Sequence, residues 1–211
     1  MDENQMTFDA WNNVAAVYES QFMNLKLYDE TYDLFLHVLR GVSAEVLEIG
    51  CGPGNISKYL IEKRPGLGLL GIDSSVKMLE RARLNVPEAS FEELDCRTVL
   101  SLKSQFAGIV CGFIIPYLSK TERKKLIADC SRLLVKHGIL YLSFVHTEME
   151  ESQLLKDQKG NCMRFYGHNH LKVTEELRSN SFELLYELSI PFRRKDGSSE
   201  DHFVVIAKRG S

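Results

Sequence analysis

The sequence predicts an α/β fold: a seven-stranded, mostly parallel sheet with helices on both faces and an antiparallel last strand. Three observations point there. Apolar strand-like runs alternate with helical patterns from residue 44 to 145, which is the mark of βαβ crossovers. The run Val46-Leu47-Glu48-Ile49 breaks into alternating glycines and passes at once into a helix. Near the end, two strand-like runs flank the polar turn Lys195-Asp196-Gly197-Ser198-Ser199, a hairpin pattern that reverses the final strand.

Each element has a local cause. Phe8, Trp11, Ala15, Tyr18 and Phe22 recur at three- and four-residue steps and make the first helix. Tyr28, Tyr32, Phe35, Leu36 and Leu39 form the face of a second, from about Tyr28 to Arg40, with Gly41 as its stop. Ala44–Ile49 reads as a strand, Asn55–Arg64 as a helix, and Leu67–Ile72 as a short strand. Ser74 is the expected cap of a helix to about Leu84. Ser90–Leu94 and Ile109–Phe113 are strand-like. Ser119-Lys120-Thr121-Glu122 is a capping box that opens a long helix ending before Gly138, and Ile139–Val145 is a buried strand. From His146 to about Lys172 there is little periodicity. Thr174–Asn180 reads as a short helix, and Phe182–Ile190 and His202–Ala207 as the two hairpin strands.

Composition excludes several function classes. The 211 residues suit one domain. With 26 Lys plus Arg against 29 Asp plus Glu, the net charge is −3, which argues against a nucleic-acid partner held by a basic face. The longest nearly unbroken apolar run, Ala107–Pro116, is too short to span a bilayer, and the acidic start is unlike a signal peptide, so no membrane partner is expected. The five cysteines are odd in number and contain no Cys-x-x-Cys pair, so neither a disulfide framework nor a zinc site is expected, and a cytoplasmic location fits.

The chemistry concentrates in Glu48-Ile49-Gly50-Cys51-Gly52-Pro53-Gly54-Asn55. Glycines let backbone turn tightly and approach a ligand, and a helix N-terminus adds free N–H groups. The same pattern also serves as a plain strand-to-helix turn. Two more strand ends carry acids: Asp73, which suits a ribose diol or a helix N-cap, and Asp95 before Cys96.

With those three strand ends, the chain resembles the class I S-adenosylmethionine-dependent methyltransferases of small-molecule type, over nearly its whole length. The Rossmann-like sheet of that family matches the predicted one. The resemblance implies that Glu48, Gly50, Cys51, Gly52, Gly54 and Asn55 form the first cofactor loop. Asp73 would bind the ribose, with Ser74 and Met78 beside it. Asp95 and Cys96 would hold the adenine edge, and Cys111-Gly112-Phe113 would lie along the cofactor. The first helix, within residues 1–41, would be a lid whose Tyr18 meets the cofactor carboxylate, unless Tyr18 is only a packed stripe aromatic. Residues 42–145 would be the cofactor-binding core, and 146–211 a substrate-side segment with the terminal hairpin. One departure is Phe106-Ala107-Gly108, where the family often has an Asp. Another is Ile114-Ile115-Pro116-Tyr117, where enzymes that methylate base amines carry a polar residue and two prolines.

The implied activity is methyl transfer by direct displacement, with S-adenosylmethionine as donor, S-adenosylhomocysteine as product and a small molecule as acceptor. Tyr117 and His146 are the residues nearest to catalytic roles, His146 as a base for an acceptor hydroxyl. Tyr117, His146, Tyr166 and His168 are expected around the substrate. His168 and His170 share a face of an extended segment, but no Cys or carboxylate stands at ligand spacing, and no metal is expected. Two other functions fit the glycine loop: an NAD(P)-dependent oxidoreductase, and a non-catalytic S-adenosylmethionine-binding regulator. Sequence does not separate monomer from homodimer.

Overall fold

The computed structural model describes residues 3–39, 44–157, 159–194 and 196–210. Two helices, α1 (Glu3–Phe22) and α2 (Asp29–Val38), precede an alternation of β1 (Glu45–Ile49), α3 (Asn55–Lys63), β2 (Gly68–Asp73), α4 (Val76–Asn85) and β3 (Ser90–Glu93). Then follow β4 (Phe106–Gly112), α5 (Lys120–Leu133), β5 (Leu134–Val145), β6 (Ser152–Lys156), β7 (Cys162–Tyr166), α6 (His170–Ser179), β8 (Phe182–Arg193) and β9 (Ser199–Arg209). The main sheet has seven strands in the order β3-β2-β1-β4-β5-β9-β8. Pairs among β1 to β5 are parallel, while β9 runs antiparallel to both β5 and β8. The predicted fold class is the observed one.

Period-two alternation places side chains on two faces. Leu47, Ile49, Ile109, Leu140 and Leu142 pack with Leu126, Ile127 and Leu133 of α5 and with Val173 and Leu177 of α6. Val46, Val110, Ile139 and Tyr141 pack on the other face with Phe35 and Leu36 of α2 and Ile56 and Leu60 of α3. Glu48 shares the second face with Val46, two residues before it, and so points to the end of the sheet where α1 and α2 close over.

Several expectations change. Ser75, not Ser74, caps α4: its Oγ accepts from the Met78 amide at 3.2 Å. The Ser119–Glu122 capping box is present. β5 begins directly after α5, but residues 135–138 leave the pairing register with β4, and His137 takes φ 63° there. Regular pairing resumes at Ile139, the predicted strand start. α6 begins four residues earlier than expected, because the Asn169 side chain accepts from the Leu171 amide at 3.1 Å. Gly41, the expected stop of α2, lies outside the described residues. The stretch read as aperiodic holds a separate antiparallel hairpin, β6–β7. α1 ties to this hairpin: the Arg164 amide donates to Thr7 Oγ1 at 3.4 Å, and Asn13 Nδ2 to Asn161 Oδ1 at 2.8 Å. On its other side α1 meets α4, where Asn85 Nδ2 donates to Glu19 Oε1 at 2.6 Å and Ser75 Oγ to Asn12 Oδ1 at 2.8 Å.

Candidate functional site

β1 ends against a loop that only glycine fits. Gly50, Gly52 and Gly54 have φ of 72°, 54° and 84°. A Cβ on Gly50 would stand 2.8 Å from Ile114 Cδ1. The loop is pinned to β2: the Gly50 and Cys51 amides donate to Ile72 O at 2.8 and 3.0 Å. The Gly52 amide donates to Asp73 Oδ2 at 2.9 Å, and the Ser75 amide to Oδ1 at 2.8 Å. Asp73 therefore fixes the loop and caps the approach to α4. Burial raises its pKa, against the pull of those amides.

Behind the loop, Glu48 is 1% exposed. Burial pushes its pKa up to about 8, although the Ser57 hydroxyl donates to Oε2. Both carboxylates border a cavity of about 530 Å³ at the carboxyl ends of β1, β2 and β4, where open α/β sheets bind ligands. α1 covers it with Trp11, Tyr18 and Phe22, and the β6–β7 hairpin adds Leu155 and Phe165. Trp11 meets Tyr18 and Tyr117 edge-on, with centroids 5.4 and 5.1 Å away. Burial, then Asp73 and Glu48, push the Tyr18 phenol up to about 12, so it stays protonated as a donor.

Most of the expected cofactor residues meet in this cavity. Tyr18, Glu48, Gly50, Gly52, Asn55 and Asp73 line it, as do Ser74, Met78, Cys96, Gly112 and Phe113. Tyr117, expected near the acceptor, lines it too.

Others are elsewhere. Cys51 turns under the loop into a cluster with Leu79, Ala82 and Phe91. Gly54 serves packing: a Cβ there would lie 3.2 Å from Val86 Cγ2 and 3.4 Å from Ala82. Cys111 points into the core, its sulfur 4.0 Å from that of Cys130. Asp95 is not a lining residue; its Oδ1 accepts from the Arg97 amide at 2.9 Å, capping a 3₁₀ turn, and pairs with Arg97 Nη1 at 3.2 Å.

The expected substrate-side histidines are also displaced. His146 does not reach the cavity; its Nδ1 accepts from the His170 amide at 3.3 Å and its ring packs on Phe203. His168 is 1% exposed, with Nδ1 2.5 Å from Arg123 Nη1 and Nε2 2.7 Å from Ile115 O. Arg123 only donates, so Nε2 carries the proton, and burial lowers the pKa to about 4. Arg123, itself fully buried, also pairs with Glu150 at 2.7 Å and Glu176 at 2.6 Å. His168 thus belongs to a structural knot, and His170 turns away to stack on Phe203 at 4.3 Å. Tyr166 is outside the lining, because strand alternation sends the adjacent Phe165 inward instead.

The far wall was not foreseen. Tyr28 and Tyr32 of the α2 segment line this wall together with Phe192, Arg194, Glu200 and His202 of the terminal hairpin. Tyr28 and His202 are 174 residues apart, and no local pattern links them. Arg97, another lining residue missed, carries Asp95 and Glu122 as partners.

Comparison with known proteins agrees with this geometry. A family model described as a methyltransferase domain matches residues 46–138. The trans-aconitate 2-methyltransferase of Methylobacterium nodulans is 39% identical over 75 residues, which are 34% of this chain and 29% of that protein. The demethylmenaquinone methyltransferase of Thermotoga maritima is 29% identical over 98 residues, 46% of this chain and 42% of that one. The matches therefore span less than half of these relatives. Among solved structures, magnesium protoporphyrin IX methyltransferase from Synechocystis PCC 6803 with bound SAH aligns with a TM-score of 0.76 at 17% identity, covering 99% of this chain and 100% of that one. That likeness is one of fold.

Proposed function

We propose that the chain is a class I S-adenosylmethionine-dependent methyltransferase that transfers a methyl group from S-adenosylmethionine to a small-molecule acceptor by direct displacement, a reading supported by the methyltransferase-domain match and the relatives above. The observation that carries the reading is the convergence of the glycine loop, Glu48 and Asp73 on one cavity. Those residues fit the donor. The loop brings bare backbone to the ligand. Asp73 keeps lone pairs beyond those given to Gly52 and Ser75, enough for a ribose diol. Glu48, when ionised, suits a cation, and Tyr18 offers a hydrogen bond to a carboxylate. Once bound, the donor supplies an activated methyl group; the protein orients the acceptor and excludes water.

In this reading residues 1–211 form one methyltransferase unit: 1–41 a helical lid, 42–145 the cofactor core and 146–211 the substrate side. The protein works on a soluble metabolite in the cytoplasm, with neither nucleic acid nor membrane as partner. The five free cysteines support a reducing location. Among the described residues no helix is long and apolar enough to cross a membrane.

Calorimetric titration with S-adenosylmethionine, S-adenosylhomocysteine and NAD tests the donor. Binding of the two adenosyl ligands without NAD is expected; binding of NAD alone overturns the assignment and restores the oxidoreductase reading. Formation of S-adenosylhomocysteine in a metabolite screen then separates an enzyme from a binding-only regulator.

A further inference from the structure

The far wall of the cavity carries a hydrogen-bonded series that the proposed cofactor site does not use. Tyr28 Oη lies 2.5 Å from His202 Nδ1, and His202 Nε2 lies 3.3 Å from Glu200 Oε1. Arg194 Nη2 donates to the other oxygen of Glu200 at 2.5 Å. All four side chains line the cavity.

The directions of these bonds follow from charge. Arg194 and His202 both favour the ionised form of Glu200. A carboxylate only accepts, so Nε2 carries the imidazole proton and Nδ1 is left as an acceptor. Tyr28 therefore donates to Nδ1. Burial holds His202 neutral, with Glu200 and Asp201 drawing its pKa up and Arg194 down. The arrangement has the logic of a hydroxyl–imidazole–carboxylate triad, with a phenol in the hydroxyl position.

The surroundings fix the shape of what sits there. Phe192 stacks on His202 at 4.7 Å and 12°. Phe113 closes on both partners, 5.2 Å from Tyr28 and 4.9 Å from His202. Phe113 itself takes φ 54°, a strained backbone for a bulky residue, at the carboxyl end of β4. Phe113 and Phe192 also line the cavity, so an acceptor beside this series meets aromatic carbon.

We propose that Tyr28, His202 and Glu200 form a proton relay that serves an acceptor hydroxyl of phenol or enol type. This inference rests on the methyltransferase reading. The acceptor oxygen forms a C–O bond with the methyl carbon, and the S–C bond breaks with its electron pair left on sulfur, which becomes neutral. The acceptor proton passes to Tyr28 Oη as the phenol proton of Tyr28 passes to His202 Nδ1. The imidazolium is balanced by Glu200 until its proton leaves to solvent.

Wild type, Tyr28→Phe and His202→Gln are first titrated with S-adenosylhomocysteine; retained affinity is expected and shows an intact donor site. Each is then loaded with that ligand and mixed with 4-nitrophenol at a pH where the free phenol is protonated. Binding of the protonated phenol, read by calorimetry, is expected in wild type and weakened in Tyr28→Phe, which lacks the accepting oxygen. With S-adenosylmethionine, Tyr28→Phe should lose about 100-fold in kcat on 4-methoxyphenol, in the range of general-base contributions. It should lose little on 4-nitrophenol at a pH where that acceptor is already ionised. Equal losses on both phenols would mark a merely structural bond and overturn the relay. A wild-type protein that binds S-adenosylhomocysteine but neither binds nor methylates a phenol also overturns it. Absence of S-adenosylhomocysteine binding overturns the donor reading, and the relay with it.

Discussion

Glu48 links pH, stability and ligand charge in one side chain, and replacing it with glutamine isolates the effect. Its pKa rises from 4.5 in an open chain to about 8 in the fold, chiefly through burial. At about 1.4 kcal/mol for each tenfold change in proton affinity, ionising it in the folded protein costs up to about 5 kcal/mol. The unfolded carboxyl loses its proton near pH 4.5 and the folded one near pH 8. Stability from this group is therefore full below pH 4.5, declines between the two values, and is lost above pH 8. Glu48→Gln copies the protonated acid and can still accept from Ser57. Urea unfolding should find the variant within about 1 kcal/mol of wild type at pH 5 and more stable by several kcal/mol at pH 9. The comparison cancels every other titrating group. At pH 7 most Glu48 side chains hold their proton. Binding of the cationic donor should release close to one proton in calorimetry across buffers of different ionisation enthalpy, and the variant should release none. A stability difference that stays constant from pH 5 to 9 would refute the buried, protonated Glu48.

Other substitutions separate ligand contacts from scaffold. Asp73→Ala removes a charged acceptor and the tie to the Gly52 amide; S-adenosylhomocysteine affinity should fall by about 1.5–3 kcal/mol, read by calorimetry on the folded variant. Unchanged affinity would remove Asp73 from the site. Gly52→Val puts Cβ in ordinary contact with Tyr18 Cε1 at 3.8 Å, but forces φ 54° on a branched residue and sends methyls toward the ligand. It should abolish binding at a stability loss of about 1–2 kcal/mol, and wild-type affinity would show that the loop does not meet the ligand. Arg123→Met removes the buried cation that Glu150 and Glu176 share and leaves them only the exposed Lys172, Lys120 and Lys124; it should destabilise by about 3 kcal/mol in denaturant titration with little change in ligand affinity once folded. A variant as stable as wild type would mean that the knot around His168 holds nothing together.

What the sequence made legible has local signals. Short apolar runs alternating with helical stripes located the core strands, and the glycines, acids and capping box stand within a few residues of the bonds they make. The β6–β7 hairpin escaped because Ser152–Lys156 is exposed throughout and Cys162–Tyr166 half-buried throughout. A strand with no buried face leaves no alternation to read. Ser74 and Ser75 are equally good caps by type, and only backbone geometry chooses between them. His146 is read from its strand end and His168 from the irregular, aromatic-rich segment before it. Their side-chain directions depend on Arg123, Ile115 and Phe203, which come from other parts of the chain. Tyr28 and His202 show the same limit from the other side: each looks ordinary alone, and their chemistry exists only when α2 meets β9.

The way α1 is seated sets an order on how the molecule is made. Its anchors are Ser75 and Asn85 on one side and Asn161 and Arg164 on the other. At about 5–20 residues per second of synthesis, the helix waits roughly 7–28 s for the second pair of anchors. During that interval the stripe of Phe8, Trp11, Tyr18 and Phe22 has no roof hairpin to rest on. The helix made first is thus anchored late, and the cavity needs both the strand carrying Arg164 and, after it, the terminal hairpin with Phe192 and His202.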